Sequence, residues 1–286
     1  MAKAVSFSHL PSTLIQKRSS WRSCTGAAIP RDQRDELQAF VKERTTGLFG
    51  ESLRFELVAA KRDDSETLRG LGTYGFIRGA SGFIVGAIQK QVGNLEDYGY
   101  LMEEIVLKAT ELGLATCWLG GSFQKDNFSA RIKALDHEIV PAVVSVGVGA
   151  DKRNLIDRTI RGVAGSKKRK PGSELFFEGS NLLPLSEQTA GAYANVLEMV
   201  RLSPSASNKQ PWRLVQDRQD IHFFLKRTPG YHRPNLFSDL QRVDMGIALC
   251  HFEWACREAG LPGKWTQMQP EITTPVDWEY SISWHL

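Results

Sequence analysis

Ser203-Pro204-Ser205-Ala206-Ser207-Asn208-Lys209-Gln210-Pro211-Trp212 is a small polar loop that runs straight into an apolar strand, Arg213-Leu214-Val215. Serine and asparagine supply short hydrogen-bonding side chains, and a proline near each end fixes the backbone, so the loop reads as rigid and built to hold something. Taken alone it also fits an ordinary turn before a strand. The rest of the chain decides between the two.

The 286 residues are 42% hydrophobic, enough for a large core and for one or two domains. No apolar run approaches the roughly 20 residues needed to cross a bilayer. Met1 to Ser6 has no apolar signal-peptide core behind its charge, so a cytoplasmic protein without membrane partners is expected. The four cysteines, Cys24, Cys117, Cys250 and Cys256, form no Cys-x-x-Cys pair and read as buried thiols in a reducing compartment. A net charge of +4, from 36 basic and 32 acidic side chains, is too small for a protein that grips a nucleic-acid backbone. The basic residues nevertheless cluster, at Lys17-Arg18 with Arg22 and at Lys167-Lys168-Arg169-Lys170, and such clusters suit one small anion, with phosphate the economical suspect. No Ser/His/Asp or Cys/His pairing and no two histidines at metal-ligand spacing occur; His137, His222, His232 and His251 are scattered. No catalytic side chain and no metal site are expected.

Going outward from the loop, Glu187 to Leu202 before it reads as a helix, Trp212 to Gln216 and Ile221 to Lys226 after it as strands, and Leu240 to Ala259 as a long helix. Lys264 to Gln269 and Tyr280 to Leu286 close the chain as strands. The first half carries the same order. Ser12 caps a short helix from Thr13 to Lys17, and Asp32 precedes a helix from Gln33 to Thr46. Arg54 to Ala60 and Gly82 to Ile88 are strands joined by a Gly-rich link with Tyr74 and Arg78; a helix follows from about Leu95 to Leu112, then strands at Leu114 to Leu119 and Val140 to Val148. Gly120 and Gly121 end the first of these strands, where backbone can approach a flat ligand. Gly147-Val148-Gly149 lacks the third glycine and the following helix of a dinucleotide fingerprint. Asp151 to about Gly179 is basic and poorly periodic, a connector. Glu111-Leu112-Gly113-Leu114 and Trp118 match Glu258-Ala259-Gly260-Leu261 and Trp265 at one offset, Gly113 to Gly260, which points to internal duplication.

With these features together, the chain resembles the FMN-dependent nitroreductase family, and more narrowly its branch with two nitroreductase-like halves in one chain, first described from thermophilic bacteria. The resemblance covers residues 13 to 286, and its most specific motif is the opening loop, close to the family's Pro-Ser-x-x-Asn-x-Gln-Pro-Trp. It implies an α+β, nitroreductase-like fold whose lobes, residues 13–178 and 179–286, form an intramolecular pseudo-dimer. Ordinary members are homodimers that bind FMN at the interface between an Arg-x-Ser-x-Arg/Lys segment and the partner's Pro-Ser-x-x-Asn loop. Here Arg18, Ser19, Ser20 and Arg22 match the former, and Pro204, Ser205, Ala206 and Asn208 the latter.

The resemblance places Lys167 and Arg169 on the phosphate as well. Backbone at Gly120 and Gly121 falls near the reactive N5 of the ring, and Asn208 at its pyrimidine edge. The corresponding places in the opposite lobes have drifted, to Arg44 through Gly50 and to Leu185-Ser186-Glu187, so one flavin per chain is expected. Cys24 and Ala206 depart from many relatives. The implied activity is electron transfer from NADH or NADPH, through FMN, to a nitroaromatic or quinone-like acceptor, in a monomer. A flavin-binding protein without turnover, or a cofactor-free interaction protein that kept the fold, are the rival readings.

Overall fold

The computed structural model describes residues 6–60, 66–90, 94–150, 168–231, 238–268 and 270–286. Its first helix, α1 (Pro11–Lys17), starts two residues before the expected Thr13, with proline in its first turn where the missing N–H costs nothing. Ser12 is no cap: its N–H and hydroxyl bond the Glu258 carboxylate at 2.7 and 2.6 Å, tying the N-terminus to the far end of the chain. Helix α2 (Arg31–Lys42) follows Pro30 and buries Leu37 and Val41. It ends before the expected Thr46 because Thr45 and Thr46 turn back to bond Leu53 and Ser52.

The first sheet has the order β1-β2-β5-β3, built from β1 (Arg54–Ala59), β2 (Gly82–Gln89), β3 (Ala115–Leu119) and β5 (Val143–Gly147), all antiparallel. Helix α3 (Leu95–Glu111) precedes β3, and α4 (Lys125–Arg131) follows it. The strand expected from Val140 to Val148 starts only at Val143, past Pro141, which has no N–H to donate; just before the expected run, the two-residue β4 (Glu138–Ile139) pairs with β2.

Residues 151–167 of the expected connector lie outside the described residues. Its remaining part holds a core element: β6 (Phe176–Glu178) runs parallel to β8 (Trp212–Asp217) in the second sheet, with Leu175 and Phe176 buried. The first lobe's tail thus reaches into the second sheet. That sheet has the order β10-β11-β9-β8-β6-β7, with β7 (Leu183–Pro184), β9 (Asp220–Lys226), β10 (Lys264–Thr266) and β11 (Trp278–His285). The single helix expected over Glu187–Leu202 is broken at Gly191, whose φ of 52° no continuing helix allows, into α5 (Glu187–Ala190) and α6 (Ala194–Arg201).

The path β8-β9-β11-β10 repeats β1-β2-β5-β3, strand for strand, and α7 (Leu240–Glu258) takes the place of α3. The helix ends match in detail: Leu114 bonds the Ala109 carbonyl and Leu261 the Cys256 carbonyl, each after a glycine with φ of 75° or 66°. Helices α3 and α7 pack on each other at the centre and are buried over most of their length. Their backbones touch where two glycines cross. A Cβ on Gly99 would fall on the Val243 carbonyl, and one on Gly246 on the Glu96 carbonyl.

Candidate functional site

A cavity of about 990 Å³ opens between the lobes. Its wall includes every expected site residue except Lys167, which lies outside the described residues.

From the first lobe, the chain leaving α1 is laid along the exposed edge of β3: Trp21 N–H donates to Thr116 at 2.9 Å, and Ser23 and Cys24 bridge to Arg78 and Gly149. This added edge carries Arg18, Ser19, Ser20 and Arg22 to the cavity. Gly120 and Gly121 continue from the end of β3, and Gly120 lets the chain lie against Leu240 at the start of α7, where a Cβ would press on the leucine side chain.

From the second lobe, the Ser203–Trp212 loop adopts a tight polar fold. Ser207, Asn208 and Gln210 have φ of 48°, 54° and 50°, a left-handed conformation that asparagine tolerates better than most residues. Hydrogen bonds hold it there: Asn208 N–H to the Ser205 carbonyl at 2.9 Å, Gln210 N–H to Ser205 Oγ at 2.9 Å, and Ala206 N–H to Asp244 Oδ1 at 2.9 Å. Asn208 Nδ2 donates to the Lys168 carbonyl at 2.7 Å, and Arg169 Nη1 donates to Asn208 Oδ1 at 2.8 Å. The basic segment and the loop are therefore one unit.

The charge of the site is cationic. Burial, then the neighbouring Arg18 and Arg201, pushes the Arg169 guanidinium down to about 10. Arg201 is held by Glu198 at 2.6 Å, whereas the buried Arg18 has Glu103 only at 3.6 Å. Glu103 is itself shared among His251 Nε2 at 3.0 Å, Trp118 Nε1 at 2.8 Å and Arg18. A guanidinium cluster on the wall of a cavity is suited to an anion.

Four contributors escaped the sequence reading as site residues. Tyr74 and Phe76 stand exposed on the cavity wall from the Gly-rich link, and Tyr231 lines it next to Gly230. The exposed aromatic side chains of a glycine-rich segment were the available signal for the first two. Asp244 is the fourth: it is 3% exposed, and its Oδ2 is buried with no hydrogen-bond partner among the described residues. Burial drives its carboxyl well above the usual carboxylate range. An aspartate near the start of a largely apolar helix signalled it, but only the fold shows what it faces.

The residues present fit a flavin mononucleotide. Guanidinium groups and hydroxyls converge from the first lobe, glycine backbone and apolar side chains offer a surface for a flat ring, and an orphaned carboxyl oxygen waits on the opposite wall. At the related position in the opposite lobes the protein's own groups hold the loop. There the loop after α2 folds onto Asp97, whose oxygens accept from Phe49 and Glu51 N–H groups at 2.9 to 3.2 Å. Arg44 lies buried against Glu104 at 3.3 Å and over the Phe40 ring. Among the described residues no His/Cys/Asp/Glu group could hold a metal ion, and no helix is long and apolar enough to cross a membrane.

No curated protein matches the chain. The crystal structure of a "putative nitroreductase" from Thermotoga maritima aligns over 99% of this chain and 97% of its own, with 19% identity and a TM-score of 0.61. Half-length structures align with only part of the chain. A nitroreductase family protein from Clostridium difficile covers 57% of this chain and 94% of its own at 18% identity and a TM-score of 0.41. A nitroreductase with bound FMN from Bacteroides fragilis covers 52% and 92% at 21% identity and a TM-score of 0.39. The family described as "Putative TM nitroreductase" matches residues 12–256, and with that span the chain belongs to this nitroreductase family.

Proposed function

We propose that the protein is an FMN-dependent oxidoreductase that takes electrons from NADH or NADPH and delivers them to a nitroaromatic or quinone-like acceptor. The observation that carries this reading is the cavity in which the first lobe's Arg18–Arg22 segment meets the second lobe's Pro204–Asn208 loop. In it, Arg18, Ser19, Ser20, Arg22 and Arg169 hold the phosphate, which carries about two negative charges at neutral pH. Lys167 is assigned to the same anion. Gly120 and Gly121 offer backbone to the reactive edge of the ring, and Pro204, Ser205, Ala206 and Asn208 close the other side. FMN, when bound, supplies the electron exchange, so the protein needs no acid–base pair of its own. Tyr74, Phe76 and Tyr231 give the open side of the cavity an aromatic wall that excludes water and stacks on a flat acceptor.

Since the related loop has drifted to Arg44 through Gly50 and bonds Asp97 instead, the chain binds one FMN and works as a monomer whose lobes, 13–178 and 179–286, descend from a duplication. The experiment is a visible spectrum of the purified protein reconstituted with FMN, the ratio of released flavin to chain, and anaerobic titration with NADH and with NADPH. One flavin per chain that either donor bleaches is the expected result. Protein that takes up no flavin overturns the reading, and bound flavin that neither donor reduces leaves a binding protein.

A further inference from the structure

Asp244 and Asp97 occupy the same place in the two lobes, 147 positions apart, as do the glycines of the helix crossing. Each sits near the start of a central helix and receives backbone N–H groups from the loop that precedes the lobe's first strand. The two differ in one respect. Asp97 spends both oxygens on Phe49 and Glu51, whereas Asp244 spends Oδ1 on Ala206 and leaves Oδ2 buried without a partner among the described residues, on the wall of the open cavity. Among the described residues no cation forms an ion pair with Asp244. The nearest acid, Asp239, adds a like charge and is itself occupied by Arg227 at 2.7 Å. A buried oxygen of this kind is rarely left unsatisfied in a native protein, so its partner is to be sought in what the cavity holds.

We propose that Asp244 is a cofactor-contacting residue: as a neutral acid it donates a hydrogen bond from Oδ2 to an oxygen acceptor of the FMN in the cavity, while Oδ1 holds the loop through Ala206. The inference rests on the flavin reading above. Burial and Asp239 both favour the protonated form. A neutral acid also keeps negative charge away from a ligand that already carries it on its phosphate.

The test is FMN affinity of the full chain, measured by quenching of flavin fluorescence, for the wild type, Asp244→Asn and Asp244→Leu, together with the FMN-minus-apo infrared difference spectrum. Asparagine keeps an acceptor for Ala206 and a donor toward the cavity, so D244N should bind within about threefold of wild type. D244L should bind about tenfold or more weaker, the effect of losing one buried hydrogen bond. The wild-type difference spectrum should show a protonated-carboxyl stretch that moves on binding and is missing from D244N; this band reports contact even if D244L fails to fold. D244N as weak as D244L would mean that an ionised acceptor is needed, and a carboxyl band that FMN does not move would reduce Asp244 to a loop anchor. Either result overturns the proposal while the flavin reading stands. No FMN bound by the wild type overturns both.

Discussion

At the scale of single residues, the cavity separates charge recognition from shape. Arg22 is on the first-lobe segment laid along β3, so Arg22→Ala should weaken FMN by about 10- to 100-fold, the range of a hydrogen bond to a charged group, and leave riboflavin, which lacks the phosphate, nearly unchanged. Parallel fluorescence titrations with the two flavins check this. Asn208→Ala removes the side-chain bonds to the Lys168 carbonyl and to Arg169, an arginine assigned to the phosphate, and should weaken both flavins, FMN the more. Asp244 sets a pH dependence of the apo protein. Its folded carboxyl is raised, so the folded state binds a proton more tightly than the unfolded one, and stability falls as pH rises through the ordinary aspartate value near about 3.9 toward the raised one. The melting temperature of D244N should therefore gain on wild type between acid and neutral pH, and equal slopes would refute it. The basic and Pro-Ser segments were legible in the sequence because their chemistry is local. Asp244 was not, since an unpaired oxygen is a property of what packs around it.

At the scale of elements, the central pair α3 and α7 rests on two glycines. Gly99→Ala or Gly246→Ala puts a methyl onto backbone that cannot retreat, and each should cost about 1–3 kcal/mol or more, read as a lowered midpoint in urea unfolding. The repeated Gly-Leu ends of these helices were visible in the sequence because a left-handed cap demands glycine. Their strands were visible as apolar runs. Less legible were boundaries governed by distant partners. Ser12 has the composition of a cap but is drawn to Glu258, Thr45 and Thr46 continue a helical pattern but turn toward the β1 approach, and the Glu187–Leu202 periodicity runs through Gly191 without showing the break. Phe176–Glu178 is too short to announce a strand and depends on β8 for its place.

At the scale of the molecule, the two lobes share one strand order and cross at their long helices, while the loop of one lobe faces an open cavity and its mate is bonded to Asp97 beside the Arg44–Glu104 pair. Phe49→Ala should accordingly lower the melting temperature and leave FMN affinity as it was, since it lies in the loop bonded to Asp97; a parallel loss of FMN would show that this loop still serves the open cavity. Asp97 and Asp244 also show what two like lobes in one chain permit. In a homodimer every substitution is written twice, so a change that seals one pocket seals both and removes the activity with it. Here each aspartate answers to its own codon. One half can give up ligand binding for a tighter interior, and selection on the other half never sees the trade.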